Sequence, residues 1–300
     1  MLKIAWAENY VHPLPEGHRF PMEKYALIHD QLVYEGTVSD DNFFTPIPAK
    51  EHYITEVHQP SYWEKLKNLN LTKQEERRTG FPLSAGLVER EVTIVGGTVQ
   101  TAIYAIKYGV SLNIAGGTHH AYSDRGEGFC LLNDIAVAAG YLLKKGLAHR
   151  ILICDLDVHQ GNGTAEIFAG SDNVFTFSMH GEGNYPHKKE SSDLDVGLPD
   201  KTTDEGYLHV LTDHLTEILE NFKPDFIFYQ SGVDVLSTDK LGRLSLTKDG
   251  CKDRDAFVLE TCYKYGLPVS ITMGGGYSPR IADITEAHCN TFRLAKQIFF

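Results

Sequence analysis

The chain has 300 residues, with 40 Asp and Glu against 28 Lys and Arg, a formal net charge of −12. This length allows one large α/β domain or two smaller ones, and 42% hydrophobic residues supply a sizeable core and exclude a disordered chain. The acidic balance argues against nucleic acid as a partner and favours cationic ones as a steering preference, and no apolar run reaches membrane-spanning length.

The start, MLKIAWAENYVHPLPEGHRF, predicts a short strand (KIAW) and a polar loop, without the basic and long apolar regions of a signal peptide. KQEERR at 73–78 fits a solvated loop or helix end. Residues 82–109 carry helical spacing with a break expected at Gly96-Gly97. SLNIA (111–115) is a short strand, and 133–146 is a helix opened by Asn133 or Asp134 and stopped by Gly146. Strands follow at 150–158 and 173–179, then a helix with a Thr202–Glu205 capping box that ends near Phe222. A strand at 225–232, a helix within 245–266, a strand at 267–276 ending in three glycines, and a helix at 280–298 complete the chain. Strands apolar throughout and separated by helices predict a single α/β domain over 1–300, with a mostly parallel central sheet covered on both faces.

In such sheets ligands bind outside the carboxyl ends of the strands. The unusual polar residues cluster there: His119 and His120 after the strand at 111, Asp157 and His159 after 150, His180 after 173, Asp234 after 225, and Tyr277 after 267. Asp155, Asp157 and His159 alternate, so a continued strand would put them on one face. Carboxylates crowded at a dry strand end require a cation. Asp157, His159 and Asp234 would leave a metal an open position; Asp239 is placed in the following turn. A second metal would want a carboxylate two residues after His159, where Gly161 stands. One catalytic metal is expected, zinc first, with iron(II) or another divalent ion as the alternative.

In GGTHHAY (116–122) both histidines can face one pocket, one as general base and then acid, the other as a nearby positive or hydrogen-bonding group. Each imidazole needs an orienting partner; Asp155 suits His119 and Asn162 suits His120. Tyr277, after the glycines, can donate to an oxyanion. The five cysteines (Cys130, Cys154, Cys251, Cys262, Cys289) form no CxxC pair, so a reducing, cytoplasmic setting is expected, without disulfides or a thiolate zinc.

The strings GHRFP (17–21), GGTHHA (116–121), GFCLLND (128–134), DLDVHQGNGT (155–164), SMH (178–180), SGVDVLSTDKLGRLSLT (231–247) and GGGY (274–277) together resemble the zinc-dependent histone deacetylase family of the arginase/deacetylase fold. The resemblance implies Asp157, His159 and Asp234 as metal ligands, His120 as base and acid, His119 as its electrostatic partner, and Tyr277 as oxyanion donor. It implies a substrate path along Phe129, Tyr185, Gly128, Gly275 and Gly276, with Arg19 in an internal channel behind the metal. It further implies potassium held at Asp155, Asp157, His159, Ser178 and Met179, and a second potassium near Phe168, Ser171 and Val174. Asn162 stands where class I members carry an acid; DLDVHQGNG and SDLD (192–195) are closer to class IV and bacterial relatives, some of which remove long acyl groups. The expected substrate is an acyl-lysine protein or peptide. The alternatives are an acetylpolyamine or other small amide, and a non-catalytic acyl-lysine binding module. Acyl length, cellular metal and oligomeric state stay open at this point.

Overall fold

Strand and helix alternate along most of the chain, and the computed structural model describes all of residues 1–300. In chain order the elements are β1 (Lys3–Ala5), α1 (Lys24–Tyr34), β2 (Phe43–Phe44), α2 (Glu51–Ile54), α3 (Pro60–Lys67), α4 (Lys73–Thr79), α5 (Ala85–Tyr108), β3 (Val110–Asn113), α6 (Asp134–Lys144), β4 (Ile151–Asp155), α7 (Asn162–Phe168), β5 (Val174–Gly181), β6 (Leu194–Leu198), α8 (Asp204–Asn221), β7 (Phe226–Gln230), α9 (Lys248–Tyr265), β8 (Val269–Thr272) and α10 (Ile281–Phe299). The eight strands form one sheet in the order β2-β1-β3-β8-β7-β4-β5-β6, and every neighbouring pair is parallel.

Every residue of β3, β4, β7 and β8 is buried, so these central strands are covered on both faces. Side chains such as Leu112, Ile153, Phe228 and Ile271 are at most 1% exposed, and each contributes about 1.5–3 kcal/mol by leaving water. Helix α5 packs on β1, β3 and β8 and against α6, while α1, α10, α9 and α8 pack in succession. The result is one α/β domain with all strand carboxyl ends on one side.

Five local expectations are corrected. Helix α5 runs unbroken through Gly96 and Gly97. The glycines serve close approach instead: a Cβ on Gly96 would strike the Ile47 carbonyl, and one on Gly97 would lie 2.5 Å from Tyr10 Oη and 2.8 Å from Asn113 Nδ2. Strand β4 stops at Asp155, because Asp155 Oδ1 accepts from Asp157 N at 3.1 Å and turns the chain out of the sheet. Asp157 and His159 therefore sit in a loop and share no strand face with Asp155. The Thr202–Glu205 box does not form; α8 starts at Asp204, and Thr202 Oγ1 donates to the Pro199 carbonyl at 2.7 Å. His180 lies within β5, which runs two residues past Met179. KQEERR proves to be most of α4, whose capping box joins Thr72 and Glu75.

Candidate active site at the strand ends

The loops after β3, β4, β7 and β8 are built to press together. Gly116 and Gly117 after β3 have φ of 81° and 76°, a region that favours glycine. A Cβ on Gly117 would lie 2.7 Å from Gly274 N, so the GG loop packs against the GGG loop after β8. Asp134, at the start of α6, fixes this turn: its Oδ1 accepts from Thr118 N at 2.9 Å, and its Oδ2 accepts from Thr98 Oγ1 of α5 at 2.6 Å. Buried His58 adds a tie, with Nδ1 2.9 Å from the Tyr122 carbonyl and Nε2 accepting from Asn133 N at 2.9 Å. This scaffold holds His119 and His120 with ring centroids 4.0 Å apart.

Each histidine has a single strong partner. His119 Nδ1 lies 2.7 Å from Asp155 Oδ2, and His120 Nδ1 lies 2.6 Å from Asn162 Oδ1. Asn162 Nδ2 donates in turn to Tyr122 Oη at 2.9 Å, which fixes the amide with its oxygen toward His120. The surroundings bias the two rings in opposite directions. Burial opposes protonation of His119, but Asp155 and Asp157 outweigh it and raise its pKa above the ordinary value. Burial lowers the His120 pKa well below the ordinary value, and positive His119 and His159 lower it further. His120 is thus biased toward the neutral imidazole.

Asp157, His159 and Asp234 bring one donor atom each to within 4.8 Å of one another, and all three side chains are buried. His159 Nδ1 lies 3.1 Å from both Asp157 Oδ1 and Asp234 Oδ2. Backbone N–H groups hold the carboxylates: Gly275 donates to Asp157 Oδ2 at 2.7 Å, and Val158 donates to Asp234 Oδ1 at 2.9 Å. Gly275 must be glycine here, because a Cβ would run into Asp234 Oδ2. Burial and the charge of Asp157 push the Asp234 pKa up to about 7. Two buried, backbone-braced carboxylates and one imidazole fit a single divalent cation with an open position.

Tyr277 follows the glycines with its N–H donating to Asp239 Oδ2 at 2.6 Å. Its ring packs near Phe129 (5.9 Å) and Phe20 (6.1 Å). Burial raises its pKa well above the ordinary value, with Asp234 and Asp157 adding to the effect, so the phenol keeps its proton. Asp239, placed in a turn by sequence, accepts from Leu241 N and Gly242 N as well and anchors this tyrosine.

Two connected spaces meet here. An inner cavity of about 40 Å³ touches His119, His120, Asp157, His159, Gly275 and Tyr277. An outer cleft of about 320 Å³ shares His120, Gly128, Phe129, His159 and Tyr277 with it and adds Tyr185. Phe129, at φ 67°, forms one wall; Tyr185 forms the other, its ring 5.0 Å from His120 and its hydroxyl donating to Glu127 Oε2 at 2.7 Å. Gly276 lines neither space and packs toward Val233 and Ile284.

Arg19 is not behind the site. It lies at the outer cleft, with its guanidinium 4.9 Å from the Phe129 ring centroid. The buried cation behind the site is Lys24, whose Nζ donates to the Gly274 carbonyl at 3.2 Å and lies 5.8 Å from the Tyr277 ring centroid. Burial lowers its pKa to about 8, against the pull of Asp234 and Asp157. Sequence reasoning missed this residue, although Lys24, Ile28 and Leu32 share one buried stripe of α1 at four-residue spacing. Glu127, which orients Tyr185, and Tyr122, which orients Asn162, were missed too.

Around Asp155, the Ser178 backbone is its register partner on β5 and Ser178 Oγ lies 3.0 Å from His180 Nδ1; Met179 is the next residue of that strand. Farther out, the Phe168 carbonyl accepts from Ser171 N at 2.9 Å, and Val174 N donates to Ser171 Oγ at 3.2 Å.

The family model described as "Histone deacetylase domain" matches residues 18–292. An uncharacterized protein of Picosynechococcus is 45% identical over 296 residues, 99% of each chain. Histone deacetylase 1 of Homo sapiens is 30% identical over 302 residues, covering 93% of this chain and 61% of the human protein. The chain thus spans about three-fifths of that longer relative. Among solved structures, an HDAC homologue complexed with SAHA superposes with a TM-score of 0.84 at 26% identity, covering 99% of this chain and 84% of the other. An HDAC homologue from Aquifex aeolicus gives 0.83 at 26% identity, over 98% and 84%. The family match takes in every strand end from which His119, His120, Asp157, His159, Asp234 and Tyr277 emerge, and on that match the chain belongs to the histone deacetylase family of amide hydrolases.

Proposed function

We propose that the protein is a metal-dependent deacylase that removes a short acyl group, foremost acetyl, from the side-chain amine of lysine. One observation carries this reading: the Asp157–His159–Asp234 cluster, the neutral His120 and the donor Tyr277 border one small cavity at the foot of an aromatic-walled cleft. The inner cavity of about 40 Å³ suits a group the size of acetyl. It holds about three water-sized volumes at ~10–15 Å³ each, far short of a myristoyl chain.

Asp157, His159 and Asp234 would hold the metal, zinc or another divalent ion. When bound, the metal supplies Lewis acidity toward a water and the acyl carbonyl. Phe129 and Tyr185 grip the lysine stem and align the amide with the cavity. His120 accepts the water's proton at Nε2, because Nδ1 faces Asn162. Tyr277 Oη donates to the developing oxyanion. His120 then returns its proton to the departing amine, leaving a carboxylate and free lysine. His119, whose charged form Asp155 favours, stabilises the negative charge that builds beside it. Potassium would lie beside Asp155, Asp157, His159, Ser178 and Met179, and a second near Phe168, Ser171 and Val174, as rigidifying ions.

Hydrolysis of a lysine peptide series from acetyl to myristoyl, by metal-loaded protein, tests the reading. Acetyl is expected to exceed myristoyl in kcat/KM by about 100-fold, the cost of a chain that finds no pocket. Myristoyl turnover equal to acetyl rejects the short-acyl reading; no turnover on any member rejects the deacylase.

Asn162→Asp tests the base. His120 must be neutral to accept a proton, so kcat/KM falls as pH drops through its pKa. A carboxylate at Nδ1 favours the imidazolium and raises that pKa. The acidic limb of the kcat/KM profile is expected to move to higher pH by about one unit or more. An unmoved limb would assign the base elsewhere.

A further inference from the structure

The mouth of the site carries charge of opposite sign to the chain. Arg19, Arg78, Arg243 and His187 border the outer cleft, and no Asp or Glu lines it, although the chain bears a net −12. The three arginines arrive from three separate segments. Arg19 precedes α1. Arg78 lies in the last turn of α4, whose carbonyls at Arg78 and Thr79 accept from Gly128 N and Phe129 N, fixing it beside the aromatic wall. Arg243 lies across the cleft, its N–H donating to Asn184 Oδ1 at 3.2 Å.

Their charge is largely unspent. Arg19 stacks on Phe129 and has no carboxylate partner. Arg78 Nε is 3.7 Å from Glu127 Oε1, beyond hydrogen-bond reach, and that carboxylate is already engaged by Tyr185 Oη at 2.7 Å and Arg125 Nε at 3.1 Å. Arg243 Nη1 reaches Asp200 Oδ2 at only 3.5 Å, with both side chains about half exposed, where an ion pair is worth little. Each guanidinium offers five N–H donors in a planar fork suited to carboxylate, and a concave cleft focuses their field.

A bound acyl-lysine threads its stem between Phe129 and Tyr185 and leaves its backbone and flanking residues among these arginines. We propose that the mouth selects substrates bearing carboxylate beside the acylated amine, foremost acyl-lysine in an acidic peptide, and disfavours basic tails and polyamines. This rests on the deacylase reading and reverses the cationic partner that net charge alone favours.

The test uses metal-loaded protein and three acetyl-lysine peptides of equal length, differing only in Glu, Gln or Lys flanks, with free Nε-acetyl-lysine as a fourth substrate. The Glu peptide is expected to exceed the Lys peptide in kcat/KM by about 10-fold, mainly through KM. The gap should shrink as ionic strength rises from about 0.05 M to about 0.5 M. The ratio should fall toward one in the Arg78→Gln/Arg243→Gln variant. Free Nε-acetyl-lysine outrunning the Glu peptide would keep the carboxylate rule and assign it to the substrate's own α-carboxylate. Equal turnover of the three peptides overturns the inference and leaves the deacylase standing. With no turnover at all, the deacylase reading fails, and fluorescence-anisotropy binding of the same peptides decides the mouth: tightest binding of the Glu peptide upholds it, equal binding overturns it.

Discussion

Tyr277→Phe is expected to lower kcat by about 10²–10³-fold, equivalent to ~2.7–4 kcal/mol of transition-state stabilisation, with KM little changed. The substitution is conservative in every respect but one. The backbone N–H still donates to Asp239 Oδ2. The ring still packs with Phe129 and Phe20. Only the hydroxyl is lost, and that hydroxyl keeps its proton because burial and the neighbouring Asp234 and Asp157 disfavour the phenolate. A donor that strengthens its bond only as the carbonyl becomes an oxyanion contributes to kcat and not to ground-state binding. Steady-state kinetics on an acetyl-lysine peptide, paired with the affinity of a non-hydrolysable analogue, separate the two. Wild-type turnover by the variant removes Tyr277 from the chemistry. A protein that binds acyl-lysine without hydrolysing it shows no turnover to lose, and its affinity is unmoved.

The strand ends were legible in the sequence for a physical reason. Buried parallel strands are apolar throughout, so the polar residues at 119–120, 157–159, 234 and 277 stand out as residues placed against local pattern. The partners of the two histidines were legible as well, because an oriented imidazole needs an acceptor and the strand-end segment at 155–162 supplies Asp155 and Asn162, although they lie 36 and 42 residues from their histidines. The route to the geometry was less so. Asp155, Asp157 and His159 alternate, which reads as one strand face, yet Asp155 accepts from the Asp157 N–H and Asp157 from the His159 N–H at 3.0 Å. Two successive side-chain-to-backbone turns bring Asp157 and His159 together after the sheet has ended. Such local bonds compete with the ladder and leave the same residue pattern behind. Gly96 and Gly97 show a similar ambiguity: a glycine pair marks a helix break or a close approach, and only the position of Ile47 and Tyr10 decides. Lys24 was hidden because a lysine is taken for surface, although its stem reaches the interior and its ammonium finds a carbonyl and three aromatic rings. The sign of the mouth was hidden most completely, since Arg19, Arg78 and Arg243 are far apart in sequence and the summed charge points the other way.

Asp234→Asn is expected to abolish metal loading and lower kcat/KM by about 10³-fold or more. The geometry makes this an isosteric test. Asp234 Oδ1 accepts from Val158 N at 2.9 Å, a bond the asparagine oxygen can keep. That orientation puts the amide nitrogen where Oδ2 faces His159, and an NH₂ group offers no lone pair to a cation. The fold should survive, because the exchange removes one of two facing buried carboxylates and leaves the side-chain volume nearly unchanged. Metal content by elemental analysis should fall from one ion per chain to a trace. Thermal denaturation gives a second reading that does not depend on turnover. At a metal concentration 100 times its Kd, the wild-type protein should gain ~2.7 kcal/mol over its metal-free form, while the variant should gain nothing on metal addition. A variant that still binds one equivalent of metal and still melts higher in its presence would place the third ligand on another residue. Asp239 is one alternative carboxylate, but it is committed to the Leu241, Gly242 and Tyr277 N–H groups and would have to surrender the bond that holds Tyr277 in order to serve.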